Sequence, residues 1–512
     1  MEHQTLDEAL TVSTFDQWRK RSGALLAPAA FLVTLALTQH ALAEPGQKLA
    51  AVLAGVAVLW ITETIPLPAT ALLGVVLCVV LGVAPAKTVL APFADPIVFL
   101  FIGSFILARA MTLHGLDRRF ALMFLSQPWV AGKPRRMLCV MGLATATLSM
   151  WVSNTATTAM MTPIAVGILD ALHELGREDS SSKKDLRSSP FAVALLLMVA
   201  YSASIGGIGT PVGSPPNLIT VGQLRERAHV TISFFEWMAL CVPLLIAMGG
   251  VLFVLLAFLQ RAELPWRSTG DLAVYFRSQS KALGEWTRGQ INTLVAFGIA
   301  VTGWITPGII ALLWGKDDPW AKFFEERLPE SVVALGAALL LFVLPTDVRR
   351  GQFTINWQQA VRIDWGTILL FGGGMSLGSL MFETKVAETM GHALVAQAES
   401  TSVWFLTAVA IVTGLLCSEM ASNTAAANMI VPVIVALSQA ANVSPVPPAM
   451  GACLGASYGF MLPVSTPPNA IVYGTGRVPL TKMFRAGLLF DLSGIVIIFL
   501  GLRILCPLLG WM

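Results

Sequence analysis

Ser153-Asn154-Thr155 and, 269 residues later, Ser422-Asn423-Thr424 place small hydroxyls and an amide inside long apolar stretches. Each copy is followed by a Pro-Pro-Asn turn, Pro215-Pro216-Asn217 after the first and Pro467-Pro468-Asn469 after the second. Helices broken at such tips present hydroxyls, amides and unpaired backbone N–H groups, and the helix dipole favours an anion there. The neighbouring Gly- and Pro-rich segments leave carbonyl oxygens free for a hard cation such as sodium. Neither motif contains Lys or Arg, so a bound cation would have to balance a bound anion. Two tips that each hold one carboxylate suit a four-carbon dicarboxylate such as succinate, malate or fumarate, and the missing base argues against a phosphate ester.

The duplication extends beyond the motifs. Asp95 and Asp364, Gly103 and Gly372, Ser149 and Ser418, and Pro163 and Pro432 share the same spacing of 269. After the Ser-Asn-Thr copies the spacing drops to 252 at Pro-Pro-Asn, and the polar insertion Leu175 to Pro190 absorbs the difference, as loops do. Broken apolar segments at matching places in two halves are the sequence sign of a transporter site in an internally repeated membrane protein. The plainer alternative is that Ser, Thr and Asn glue packed helices together. Two register-matched copies, each with its Pro-Pro-Asn, favour the site.

The elements that must carry these motifs are membrane helices. Of 512 residues, 55% are hydrophobic and only 12% charged, against roughly 25% charged in soluble domains. The net charge of +3 is too small and too scattered to suggest nucleic acid. Six cysteines lie in apolar runs without a C-x-x-C pair and read as small buried hydrophobes. The first apolar run, Gly23 to Ala43, ends in a sequence like a signal-peptidase site, but its length favours an uncleaved span. Further spans are expected at Leu49–Pro66, Ala69–Val83, Asp95–Leu113, Thr231–Gln260, Ile291–Trp314, Ser331–Pro345, Asp364–Leu380 and Met483–Cys506.

Met137–Leu172 would be about 54 Å long as one helix, far beyond a hydrocarbon core of roughly 30 Å. A re-entrant hairpin with its polar tip at mid-membrane fits better, and Ser402–Leu437 is its counterpart. Two further spans are interrupted, one by Gly207–Pro216 and one within Pro448–Tyr473. The expected fold is an all-α polytopic membrane protein with about eleven transmembrane helices and two hairpins. With the N-terminus inside, about 23 Lys and Arg fall in cytoplasmic segments and about 8 outside, which fits positive-inside orientation. The odd span count inverts the two halves and puts the C-terminus outside.

Other polar residues carry weaker signals. Asp95 and Asp364 stand at span starts and read as N-caps rather than ion ligands. Glu419, four residues before Asn423, is either functional or solvated by a wet vestibule. Arg109 lies within a span, outside both motifs, and suggests an interhelical contact. Gly455-Ala456-Ser457-Tyr458-Gly459 matches the G-x-S-x-G of serine hydrolases, but every histidine falls in a loop or near a span end. An enzyme is therefore not expected.

The paired Ser-Asn-Thr motifs, Gly206-Gly207-Ile208-Gly209-Thr210 leading to Ser214-Pro215-Pro216-Asn217, and Thr466-Pro467-Pro468-Asn469 resemble the divalent anion/sodium symporter family. The similarity runs from about Gly55 to the C-terminus. It implies an elevator-type homodimer in the cytoplasmic membrane of a bacterium that couples sodium to the uptake of dicarboxylate, citrate or sulfate, with no organic cofactor. A cytoplasmic segment 1–22 would precede scaffold helices 23–119 and transport region 134–260, and a cytoplasmic linker 261–289 would lead to scaffold helices 290–391 and transport region 402–512. The resemblance implies substrate contacts at Ser153, Asn154, Thr155, Ser422, Asn423, Thr424, Thr466 and Pro467. It implies a first sodium site at Ser149, Ser153, Asn154, Gly206 and Gly207, and a second at Ser418, Ala421, Asn423 and Ser465. Ser418 and Ser465 depart from the Thr and Ala expected there. The chief rival is a sodium-independent dicarboxylate exchanger on the same fold; retained oxygen ligands at both ion sites favour the symporter.

Overall fold

The computed structural model describes residues 14–127, 130, 133–178, 189–259, 278–315, 317–397 and 402–512. The insertion after the first hairpin and the polar linker fall largely outside these residues. Apart from one small antiparallel pair, β1 (Pro345–Asp347) with β2 (Gln352–Phe353), the regular structure is helical.

In the first half, α1 (Thr14–Leu37), α2 (Glu44–Thr62) and α3 (Leu67–Val80) pack in succession, and α4 (Ala86–Leu90) leads through a 3-10 turn into α5 (Pro96–Leu113). After α6 (Leu116–Leu125) come the first hairpin arms, α7 (Pro134–Ser149) and α8 (Asn154–Glu178). The first interrupted span is α9 (Pro190–Gly206) and α10 (Pro215–Ala228), followed by α11 (Phe234–Leu259). The second half runs α12 (Arg288–Trp314), α13 (Pro319–Arg327), α14 (Glu330–Val343), α15 (Trp357–Ala360), α16 (Trp365–Glu383) and α17 (Val386–Gln397). Its hairpin is α18 (Val403–Met420) and α19 (Asn423–Ala440), its interrupted span α20 (Val446–Ala456) and α21 (Pro467–Gly474), and α22 (Leu480–Leu508) closes the chain.

Proline starts many of these helices. Pro96, Pro134, Pro190, Pro215 and Pro467 all occupy the first turn, where the missing N–H costs no hydrogen bond and φ is already helical. At Pro215 and Pro467 this restarts a helix inside an apolar run. The residue before each, Ser214 and Thr466, is held extended, as the proline ring requires.

Packing repeats across the halves. α5 packs on α14 and α3 on α16; α8 packs on α21 and α10 on α19. Exchanging the halves leaves this pattern unchanged, so each half completes the other. Close approach depends on small residues: a Cβ on Gly103 of α5 would lie 2.8 Å from the Ala334 Cβ of α14, and one on Gly373 of α16 would lie 2.7 Å from the Ala71 Cβ of α3.

Among the described residues ten helices are long and apolar enough to cross a membrane. Three of them, α8, α18 and α19, are hairpin arms, while α3, α14 and both interrupted spans consist of shorter helices. The expectation of about eleven spans plus hairpins divides the same helices differently. Two details depart from the sequence reading. The first helix begins at Thr14, inside the expected polar segment, because Arg19 reaches Glu63 at the end of α2 (3.0 Å) and anchors its first turns. Cys139 is exposed on α7 rather than buried.

Candidate functional site

Each motif closes a helix break with the same hydrogen bond. At the first tip α7 ends at Ser149 and α8 starts at Asn154, and the Ser149 hydroxyl donates to Asn154 Oδ1 at 2.8 Å. At the second tip the Ser418 hydroxyl donates to Asn423 Oδ1, also at 2.8 Å. The serines before the asparagines cap the second arms: Ser153 Oγ accepts from Ala156 N at 3.3 Å and Ser422 Oγ from Ala425 N at 3.2 Å. An asparagine amide oxygen is thereby held between two helix ends, which is the clasp that a hard cation or an anion's counter-cation needs.

The interrupted spans repeat their own pattern. Asn217, fully buried, donates from Nδ2 to the Gly207 and Thr210 carbonyls, both at 2.8 Å. Asn469, equally buried, donates to the Gly459 and Leu462 carbonyls at 3.4 and 3.0 Å. The asparagine of Pro-Pro-Asn is thus a tether that folds the unwound loop back on the restarted helix. Sequence reasoning marked these residues only as turns, although their identical place in both halves was the signal.

The loops press on the clasps. A Cβ on Gly207 would lie 2.3 Å from Asn154 Oδ1, and one on Gly459, its counterpart, 3.0 Å from Ser418 Oγ. Of the first expected sodium set, Ser149, Asn154 and Gly207 come together; Gly206 sits against the Ala146 backbone of α7, and Ser153 is exposed at the tip. Thr210 donates to the Met150 carbonyl and ties the loop to the tip. Of the second set, Ser418 and Asn423 are bonded and Ala421 is the extended residue between the arms. The Ser465 hydroxyl turns to Glu419.

Among the expected substrate contacts, Thr155 is exposed, and Ser422, Asn423 and Thr424 are half-buried. Thr466 caps α21 by accepting from Asn469 N at 3.3 Å, and Pro467 is exposed beside it. The two halves interlock around these motifs, α8 packing on α21 and α10 on α19.

The weaker signals separate. Asp95 and Asp364 are N-caps, accepting from Ile97 N at 2.8 Å and Thr367 N at 3.1 Å, and Asp95 also pairs with Arg225. Glu419 is not solvated: it is buried and accepts from Met461 N at 3.0 Å and from Ser465. Arg109 is half-buried, and its Nε finds no hydrogen-bond partner. Ser457 is buried and donates to the Cys453 carbonyl one turn back, as an ordinary helix serine. A cavity of about 490 Å³ lined by Lys87, Asp95, Glu226 and Glu383 lies at the far end of α10 and contains no motif residue.

Interrupted apolar helices, twinned clasps and interlocked halves define the class: a multi-pass membrane transporter. The sodium:sulfate symporter transmembrane region model matches residues 19–512, and the chain belongs to this family of divalent anion/sodium symporters. It is 33% identical over 488 residues to the sodium-dependent dicarboxylate transporter SdcS of Staphylococcus saprophyticus, covering 95% of this chain and 91% of that one. It is 30% identical over 518 residues to SdcS of Staphylococcus aureus strain USA300, covering 99% and 96%. The fold is similar to that of the Alcanivorax borkumensis YdaH transporter, with a TM-score of 0.54 at 14% identity over 83% of this chain and 88% of that one. It is also similar to that of MtrF from Neisseria gonorrhoeae, with a TM-score of 0.50 at 12% identity over 93% and 97%.

Proposed function

We propose that this protein is a secondary transporter that couples inward sodium movement to uptake of a C4-dicarboxylate such as succinate, malate or fumarate. The observation that carries this reading is the twinned Ser–Asn clasp, one oxygen cage per half, in motifs without a basic residue. A dianion at membrane depth needs compensating charge beyond about half an elementary charge per helix end. Sodium held by the clasps supplies it. The first site uses Ser149, Ser153, Asn154, Gly206 and Gly207, and the second Ser418, Ala421, Asn423 and Ser465. The anion meets Ser153, Asn154, Thr155, Ser422, Asn423, Thr424, Thr466 and Pro467.

In this reading residues 134–260 and 402–512 form a transport unit that moves as an elevator against scaffold 23–119 and 290–391. The halves are inverted, the hairpins enter from opposite sides, and two protomers join through their scaffolds in a bacterial inner membrane with the N-terminus cytoplasmic. The names borne by the Staphylococcus relatives support the ion and the substrate class. Radiolabelled succinate uptake into proteoliposomes tests it. Uptake is expected with an inward sodium gradient and to be absent when choline replaces sodium; equal uptake in choline, with exchange for internal dicarboxylate, establishes the exchanger instead.

A further inference from the structure

The two clasps are alike, but what stands behind them differs. Where the first half has Met150 and Gly213, the second half has, at the equivalent positions, Glu419 and Ser465. Glu419 is 6% exposed and accepts from Met461 N and from the Ser465 hydroxyl. Against it, from the middle of α22, stands Asp491, 2% exposed, with the Glu419 carboxylate and the Phe460 amide as polar neighbours. Neither Asp491 oxygen has a hydrogen-bond partner. Beside Asp491, the fully buried Tyr458 also has an unpartnered phenol oxygen. Tyr201, the other titratable group facing the two acids, is satisfied, donating to the Phe460 and Met483 carbonyls. Among the described residues no Lys or Arg pairs with either acid, and Lys482 and Arg485 on α22 are exposed.

Two adjacent buried carboxylates without a counter-charge are unstable, because burial and like charge act in the same direction. The atoms on offer are hard oxygens, the ligands of alkali and alkaline-earth cations rather than of soft metals. We propose that Glu419 and Asp491, with Tyr458, form a third cation site that takes sodium and exists in the second half alone. Glu419 follows Ser418 directly, so the site adjoins the second clasp, and an ion there offsets one of the two negative charges where the second hairpin meets α22.

The inference rests on the sodium-coupled reading above, and one experiment separates their failures. Radiolabelled sodium binding is measured on the purified, detergent-solubilised wild type, without dicarboxylate, and on Asp491→Asn, which keeps the shape and removes the charge. The wild type is expected to bind about one more sodium per protomer than Asp491→Asn, which keeps the sodium held by the clasps. A wild type that binds no sodium overturns the coupled reading itself. A wild type that binds sodium while Asp491→Asn binds the same number at an affinity within twofold overturns the third site, whether the acids then share a proton or nothing. If Asp491→Asn is not monodisperse, Tyr458→Phe decides: a several-fold weaker affinity for one class of sodium supports the site, and an unchanged isotherm rejects it.

Discussion

Asn154 and Asn423 hold the same bond at the same distance from the same kind of neighbour. Their alanine variants are therefore expected to behave alike. In the proposed sites each removes an amide whose Oδ1 faces the cation and whose Nδ2 donates to the anion, and at about 1.5–3 kcal/mol for a hydrogen bond to a charged group the affinity loss is roughly tenfold to a hundredfold. Sodium and succinate affinities fall together, as linkage demands; titrating each against the other in both variants checks it, and a variant that loses one affinity alone contradicts it. Gly207→Ala probes the clasp from behind, since its Cβ would come within 2.3 Å of Asn154 Oδ1, whereas Gly298 has nothing within 4 Å. Sodium-dependent binding is expected to collapse in Gly207→Ala and to persist in Gly298→Ala. The clasps were legible because their spacing repeats along the chain. The burial of Glu419 was not, because it is imposed by Met461 and Ser465, more than 40 residues away. Asp491 went unremarked in the sequence; a lone acid inside a 29-residue apolar helix was the available signal.

Element boundaries came mostly from proline and asparagine, and these were readable where the chemistry is local. Pro215 and Pro467 mark the restarts of α10 and α21 as the sequence suggests. The start of α1 was misplaced because its first turns are held by Arg19 and Glu63, a contact between residues 44 apart. What holds the unwound loops was equally hidden, since Asn217 and Asn469 reach carbonyls seven and ten residues back. Asn217→Ala removes two buried hydrogen bonds and leaves the Gly207 and Thr210 carbonyls short of a donor, a cost of about 2–4 kcal/mol. Asn469→Ala breaks longer bonds and is expected to cost less. Thermal unfolding in detergent measures both; a larger loss at Asn469 would mean that the tethers are not what stabilises the loops.

The interlocking of the halves is a property of the whole chain that no segment displays: α8 needs α21 and α10 needs α19. In the proposed elevator a unit built this way moves as one body, and the contacts it makes with its surroundings must then break. At its far end α10 makes such contacts. Arg225 pairs with Asp95, the cap of α5, while Arg227 donates to Ser379 of α16 and lies 5.1 Å above the Phe382 ring. In the proposed division α10 belongs to the transport unit and α5 and α16 to the scaffold, so these pairs hold the present arrangement against the alternative one. Asp95→Asn is the clean test, because asparagine caps a helix about as well as aspartate and leaves no buried charge unpaired. A partly exposed ion pair contributes up to about 1 kcal/mol, so the alternative arrangement should gain severalfold in population. Spin labels on the α8 and α5 surfaces, followed by distance measurement in nanodiscs, report the two populations. Unchanged distance distributions in Asp95→Asn and in Arg225→Gln would show that this contact does not oppose movement, and would remove the reason for placing the sliding boundary between α10 and α5.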